Sequence, residues 1–172
     1  MVEEQSLIKI LSDRNYDFDI THHEPLFTVE DSKNLRGKIS GAHSKNLFLK
    51  DQKDRFYLLS FIEDITADLK AISEPLNSKK LSFARESYLE EYLGLKPGAV
   101  TPFGLLNDTN KEVNFFFDEA FLGFDIVNFH PLVNTATISM SPKNLIELIE
   151  ELHKKVNLID MKKYQRLSLI HI

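Results

Sequence analysis

The sequence predicts one mixed α+β domain, in which a mixed sheet or partly closed barrel carries helices on its outside. Short apolar runs with the period of a strand recur along the chain, and helical patterns appear at its start, middle and end. The regular strand–helix alternation of a doubly wound fold is absent. A length of 172 residues suits a single domain, and the apolar fraction of 42% is that of a globular chain.

The individual elements follow from periodicity and from helix-capping residues. Ser141 and Pro142 have the residue types of a helix N-cap and first turn, and Gly94 stands where a helix should end. Thr28, followed by acidic residues, is expected to begin another short helix. Together with these two, predicted at 142–155 and 82–93, helices are predicted at 3–14 and 64–76. Strands are predicted at 17–23, 46–50, 55–62, 103–106, 113–117, 123–129 and 135–139, with the second and third forming a hairpin. The expected domain spans residues 1–160, and residues 161–172, which lack a cap and a clear period, are expected to form a disordered tail.

Composition excludes several classes of function. The chain has no cysteine, so disulfides, thiolate metal sites and a cysteine nucleophile are excluded. The common nucleotide-binding motifs, the HExxH zinc motif and the GxSxG serine motif are absent, and the histidines lack a ligand spacing, so we expect no metal and no cofactor. No apolar run approaches the ~20 residues of a membrane helix, and the N-terminus does not resemble a signal peptide. We therefore expect a cytoplasmic protein.

The charge is uneven along the chain. The whole protein carries a net charge of −5, whereas the segment 33–55 contains seven basic residues and two aspartates. This segment is either a solvated charged face or a patch that binds phosphates. Because the whole molecule is acidic, a nucleic-acid partner would have to meet such a local patch.

Three short pieces have residue types suited to a binding site. In the first, GAHSKN at 41–46, Lys45 can act as a point charge and Asn46 can both donate and accept hydrogen bonds. In the second, at 98–102, glycine allows the backbone to approach a ligand closely and proline stiffens the exit. The third runs from His130 to residue 137, with His130 before a proline in an extended conformation. Each piece alone is also compatible with an ordinary turn, strand connection or satisfied histidine.

The three pieces in this order resemble a known family. The segments HHEPLFTVEDS, LRGKISGAHSKNLFLKD, GLKPGAVTPFGLLND and FHPLVNTATISMS are similar to the free-standing prolyl-tRNA editing domains. This is the YbaK-type deacylase family, which is related to the insertion domain of bacterial prolyl-tRNA synthetase. The similarity runs from about residue 20 to residue 155. It implies a mixed β-barrel flanked by helices. The amino-acid sequence of the second and fourth segments most resembles the branch that hydrolyses Ala-tRNA(Pro). The Cys-tRNA(Pro) branch is the near alternative.

The resemblance also implies a mechanism and partners. The ester would be hydrolysed with help from the terminal ribose hydroxyl, and the chemistry would rest mainly on positioning. The partners would be the acceptor end of tRNA(Pro) carrying alanine and prolyl-tRNA synthetase, with no membrane and no DNA. The implied catalytic residues are Lys45, Gly98 and His130, and the implied substrate-binding residues are Asn46, Ala99, Val100, Thr101, Pro102, Asn134 and Thr135. Two other classes remain: a tRNA-binding module without turnover, and a small-nucleotide-binding protein, which the missing glycine motifs disfavour.

Overall fold

The computed structural model describes residues 1–26, 31, 33–34 and 37–166. Its strands are β1 Phe18–His22, β2 Ala42–Lys50, β3 Phe56–Ile62, β4 Ser82–Phe83, β5 Val113–Asp118, β6 Val127–Phe129, β7 Ala136–Met140 and β8 Asn157–Ile159. Its α-helices are α1 Glu4–Asp13, α2 Leu69–Ile72, α3 Glu86–Leu93 and α4 Pro142–Leu152. Short 3-10 helices cover Pro102–Asn107, Glu119–Gly123 and Met161–Tyr164.

The eight strands form one mixed sheet. Its order is β1-β7-β6-β2-β3-β5-β8, with β4 paired to β2 off this path. The pairs β2–β6, β3–β5 and β5–β8 are parallel, and the hairpin β2–β3 and the pairs β1–β7, β6–β7 and β2–β4 are antiparallel. The sheet does not close, because β1 and β8 end the order on opposite sides. The predicted mixed sheet flanked by helices is confirmed.

Two apolar clusters hold the elements together. The larger one contains residues of α1, α3 and α4 together with Phe48, Phe115 and Phe117 of the sheet. The smaller one contains Leu49 and Leu59, which alternate with residues of the first cluster along the hairpin strands. Successive strand residues point to opposite faces, so the hairpin is buried from both sides. No helix in the described part of the chain is both long enough and apolar enough to cross a membrane.

Several predicted elements need correction. The strand predicted at 103–106 is wrong: a 3-10 helix begins there, with Pro102 at its first turn and the Thr101 hydroxyl accepting the Phe103 N–H at 3.4 Å. The helix predicted at 64–76 is reduced to α2, and the helix predicted at 82–93 begins only after β4. The strand predicted at 123–129 is reduced to β6, because the 3-10 helix Glu119–Gly123 precedes it.

The expected tail also needs correction over its described part. Met161 is fully buried, Gln165 forms a bridge with Ala67, and the Arg166 N–H donates to the Thr66 carbonyl at 2.7 Å. These contacts attach residues 161–166 to the sheet domain. Residues 167–172 and the helix start expected at Thr28 lie outside the described residues.

A buried pair of side chains fixes the segment that precedes β5. His153, at the end of α4, contacts the Asp108 carboxylate at 2.8 Å, and both side chains are excluded from solvent. Burial raises the pKa of Asp108, but hydrogen bonds from His153 and from the Val113 N–H outweigh it, so the pKa lies below its usual value. Asp108 directly follows the 3-10 helix Pro102–Asn107, and the pair therefore ties that helix to α4.

The junction of β2 and β6 is short and closely packed. The two strands pair only at Ala42–Val127 and His43–Asn128. Gly41 enters this junction with a φ of +102°, and a Cβ there would lie 2.6 Å from the Ile126 carbonyl oxygen. Only glycine satisfies both the backbone conformation and the close approach.

We expect Gly41→Ala to destabilise the protein by about 2 kcal/mol or more, because it adds backbone strain and a clash with a carbonyl. Thermal unfolding should then occur at least about 4 °C lower. Gly123→Ala is the matched control, since a Cβ there meets no atom within 4 Å. Its expected effect is within about 0.5 kcal/mol. Equal midpoints for the two variants would contradict the strained junction.

Candidate active site

A small cavity lies where β2 and β6 separate. Beyond the two pairs at this junction, β6 ends at Phe129 while β2 continues along β3. The resulting gap encloses about 90 Å³. Its lining residues come from β2, β3, β6, β7 and the segment after β1: Leu26, His43, Ser44, Asn46, Glu63, Asn128, Phe129, His130 and Thr137. Of the site residues predicted from the sequence, the structure thus brings Asn46 and His130 together.

His130 presents one free ring nitrogen. Its Nδ1 lies 2.9 Å from the Ala136 carbonyl oxygen, which can only accept, so Nδ1 carries the proton. Nε2 has no hydrogen-bond partner among the described residues. Burial lowers the pKa of His130, the hydrogen bond to Ala136 opposes this, and the nearby His23 lowers it further. His130 is therefore held as a neutral imidazole whose Nε2 can accept a proton or a hydrogen bond.

His23 is fixed beside it by a similar arrangement. Its Nδ1 lies 2.8 Å from the Glu24 carbonyl and its Nε2 lies 2.8 Å from the Thr137 hydroxyl, so the hydroxyl donates to Nε2. The backbone N–H of His23 also donates to the Thr135 carbonyl at 2.9 Å. The centroids of the His23 and His130 rings are 6.2 Å apart. His23 therefore lies behind His130, and the two rings share the Thr137 side of the site.

Asn46 is held by hydroxyl groups on both sides. Its amide donates to Ser44 Oγ at 3.1 Å, and its carbonyl oxygen accepts a short hydrogen bond from Ser60. Ser44 in turn donates to the Asn128 backbone carbonyl at 2.9 Å. The amide orientation is therefore set by its partners, and its second N–H is available to a ligand.

Lys45 does not line the cavity. It is exposed and adjacent to Asn46 on β2, so its side chain leaves the opposite face of the strand. No ion pair occupies its ammonium group among the described residues. The cavity is also lined by His43, which shares a face with Lys45, and it therefore opens at the edge of β2 rather than on one face. Lys45 stands between two lining residues of β2, Ser44 and Asn46.

The loop 98–102 lies next to the segment after His130 but outside the cavity lining. Gly98 has a φ of +89°, and a Cβ there would lie 3.7 Å from the side-chain nitrogen of Asn134. Ala99, Thr101 and Pro102 are buried, and Val100 packs against the core. Their side chains therefore support the loop, and only its backbone is available to a ligand. Thr135 is exposed at the turn before β7.

The sequence analysis assigned no role to His43, Ser44 or Thr137, although they lie in the candidate pieces, and it did not single out the lining residues Leu26, Glu63, Asn128 and Phe129. Their types are common in turns and on surfaces, and their roles depend on contacts between strands that are distant in sequence. The available signals were that Ser44 and Thr137 lie inside the candidate pieces and that Asn128 lies two residues before the predicted His130. In the described part of the chain, no group of three or more acidic or histidine side chains could hold a metal ion.

Comparison with known proteins identifies the family. A model of the aminoacyl-tRNA editing domain matches residues 23–148. The chain belongs to the aminoacyl-tRNA editing domain family. It is 36% identical over 151 residues to the prolyl-tRNA editing protein ProX of Acetoanaerobium sticklandii, covering 87% of this chain and 92% of the relative.

Other relatives have related names. The prolyl-tRNA synthetase associated domain-containing protein 1 of Xenopus laevis is 37% identical over 75% of this chain and 79% of its own length. The multifunctional Ser/Thr-tRNA deacylase ProXp-y of Escherichia coli is 29% identical over 59% of this chain and 63% of its own length. A crystal structure reported for a candidate trans-editing enzyme of prolyl-tRNA synthetase has a TM-score of 0.72, with 19% identity, over 97% of this chain and 99% of that one. The family resemblance is confirmed, and with it the enzyme class, an aminoacyl-tRNA deacylase.

We predict that deacylation requires neutral His130. Because its pKa lies below the usual 6.5, the rate should be constant near pH 7 and fall as the pH drops through a midpoint below 6.5. His130→Asn keeps a donor for the Ala136 carbonyl but lacks Nε2, and should lower the single-turnover rate by roughly 100-fold and abolish this inflection. Rates are corrected for spontaneous ester hydrolysis.

The exposed His22 supplies the control. Its ring lies 3.7 Å from Glu4, away from the cavity lining. His22→Gln should retain both the rate and the midpoint. A profile for His130→Asn that matches the parent protein would remove His130 from the reaction.

Proposed function

We propose that this protein hydrolyses Ala-tRNA(Pro) in trans, in the cytoplasm, and so removes alanine that prolyl-tRNA synthetase has attached in error. The observation that carries the proposal is the small polar cavity at the β2–β6 separation, with neutral His130 and a fixed Asn46 in its wall. The family membership supplies the reaction class, and the small volume of the cavity supports alanine as the amino acid.

The cavity suits an aminoacyl group and little more. Its volume of about 90 Å³ is well below the ~300–1,000 Å³ of pockets that enclose drug-sized ligands. A nucleoside would therefore remain outside, at the edge of β2, while the alanyl group enters. The larger ring of proline would have to displace hydrogen-bonded walls, and exclusion by such a clash discriminates strongly.

The proposed reaction needs little beyond positioning. A water molecule attacks the ester carbonyl carbon, the bond between that carbon and the ribose oxygen breaks, and the proton of the water passes to the ribose oxygen. The products are alanine and tRNA. His130 Nε2 would accept a hydrogen bond from the attacking water, Asn46 would donate to the substrate, and the neighbouring ribose hydroxyl would help to place the water.

Two further parts of the site would hold the tRNA rather than the amino acid. Lys45, at the opening, would contact a phosphate of the terminal nucleotide as a point charge. The backbone of the loop from Gly98 to Pro102 would border the ester region. Neither role asks for a buried charge, which agrees with the exposure of Lys45 and Gly98.

Seryl-tRNA is a second candidate substrate. Ser44, Asn46 and Thr137 give the cavity a polar lining that could pair with one additional hydroxyl group. The Escherichia coli relative is named as a Ser/Thr-tRNA deacylase. Cys-tRNA(Pro) is the other alternative, because the cysteine side chain is nearly the same size as that of serine.

A deacylation panel tests the proposal. We expect single-turnover hydrolysis of Ala-tRNA(Pro) to exceed that of Pro-tRNA(Pro) by at least about 100-fold, because proline does not fit the cavity. Ser- and Cys-tRNA(Pro) should lie between these limits, since one added atom changes the rate by a smaller factor. His130→Asn protein serves as the inactive control.

Two results would contradict it. Comparable hydrolysis of Pro- and Ala-tRNA(Pro) would mean that the cavity does not select by size. Binding of tRNA(Pro) without hydrolysis of any ester in the panel would favour a tRNA-binding module that lacks turnover.

A further inference from the structure

Phe83 is the most exposed aromatic side chain of the described residues. It lies on β4 and 65% of its surface is accessible to solvent. β4 contains only two residues, of which Phe83 pairs with Leu49 and Ser82 pairs with Lys50 of β2. An apolar ring of this size on a short edge strand makes no contribution to either apolar cluster.

We infer that Phe83 is a stacking platform for a base in the single-stranded 3′ end of the tRNA. This inference rests on the proposed function, because it assumes that the substrate is a tRNA. It adds the place where the nucleotides upstream of the esterified adenosine lie.

The position of Phe83 relative to the cavity supports this role. Paired residues of antiparallel strands point to the same face, so Phe83 shares a face with Leu49 and, by alternation along β2, with Lys45. Four residues of strand separate Lys45 from Leu49, a distance of about 13 Å. A short run of extended nucleotides spans this distance. With the terminal nucleotide at Lys45, its upstream neighbours would pass over β4.

The charges around Phe83 favour RNA over a protein partner. The segment 79–85 contains Lys79, Lys80 and Arg85 and no acidic residue. Lys79 and Lys80 are exposed and form no ion pair within the described part of the chain. Arg85 lies over the ring of Tyr88, with its guanidinium carbon 5.5 Å from the ring centroid. An exposed aromatic ring among lysine and arginine side chains is the arrangement that binds single-stranded nucleic acid.

A second exposed aromatic residue has the opposite surroundings. Phe124 is 42% exposed, as is Leu122 two residues earlier, and the charged residues of the segment 118–125 are all acidic. This patch repels phosphates. It therefore supplies a matched control with the same side chain in an unfavourable field.

The test measures the binding of uncharged tRNA(Pro) to the full chain by fluorescence anisotropy at fixed salt. Phe83→Ala should weaken binding about 5- to 150-fold, the loss expected for one base–aromatic stack. tRNA(Pro) that lacks its single-stranded 3′ end should bind the parent protein and Phe83→Ala equally well. Phe83→Trp and Phe83→Tyr should restore binding to the intact tRNA, whereas Phe83→Leu, which keeps apolar surface but has no π face, should not.

Two controls separate this loss from other effects. Phe124→Ala should change the dissociation constant by less than about twofold, and the unfolding midpoint of Phe83→Ala should match that of the parent, because exposed side chains contribute little to stability. Lys80→Gln should reduce the slope of log K against log salt by about 0.7, whereas Phe83→Ala should leave that slope unchanged.

The inference is overturned if Phe83→Ala or Phe83→Leu binds intact tRNA(Pro) as the parent does. It is also overturned if Phe83→Ala loses binding to prolyl-tRNA synthetase while tRNA binding is unchanged, since Phe83 would then be a protein contact. Failure of the proposed function is distinguishable, because it appears as absent hydrolysis by the parent protein and does not affect the binding measurement.

Discussion

The site depends on a junction of two residue pairs between β2 and β6. The buried Asn128 side chain holds this junction: its amide donates to the Ser40 and Ala42 carbonyls at 2.9 and 3.1 Å, and its oxygen accepts from the Ser139 hydroxyl at 2.5 Å. Its backbone carbonyl accepts from Ser44. Because β2 is fixed to β6 here and then follows β3, the strands must separate, and the cavity is the consequence. Removing one partner would leave buried carbonyls unsatisfied, which costs about 1–3 kcal/mol for each group.

The surface around the cavity and the cavity itself differ in charge. The molecule carries a net charge of −5, yet Lys45 on β2 and Lys79 and Lys80 before β4 have no acidic partner in the described part of the chain. The cavity wall contains the neutral His130 imidazole, which is fixed by the Ala136 carbonyl. An activated ester needs a placed water and an orientation more than it needs a strong acid or a metal, and such positioning can supply a large part of the acceleration. The cavity wall also contains the Glu63 carboxylate, whereas the phosphates of a tRNA would stay outside.

Local signals carried the predictable part of the fold. The Ser141 cap and Pro142 fixed the start of α4, the polar spacer predicted the β2–β3 hairpin, and the ordered motifs identified the family. The apolar run at 103–106 was mispredicted as a strand, because four apolar residues do not distinguish a strand from a 3-10 helix. The Thr101 side chain, which caps the helix, decides between them. β8 has only three residues and no alternation long enough to detect. The roles of Asn128 and His23 come from contacts across the sheet, which no local pattern records.

The most direct test of the account is a crystal structure with a non-hydrolysable mimic of alanyl-adenosine, in which an amide replaces the ester. The account predicts the alanyl methyl group inside the cavity, its carbonyl oxygen within hydrogen-bond distance of the Asn46 amide, and the adenosine outside at the edge of β2 near Lys45. Density for the alanyl group elsewhere, with the Asn46 and His130 side chains untouched and the cavity filled by water, would contradict it.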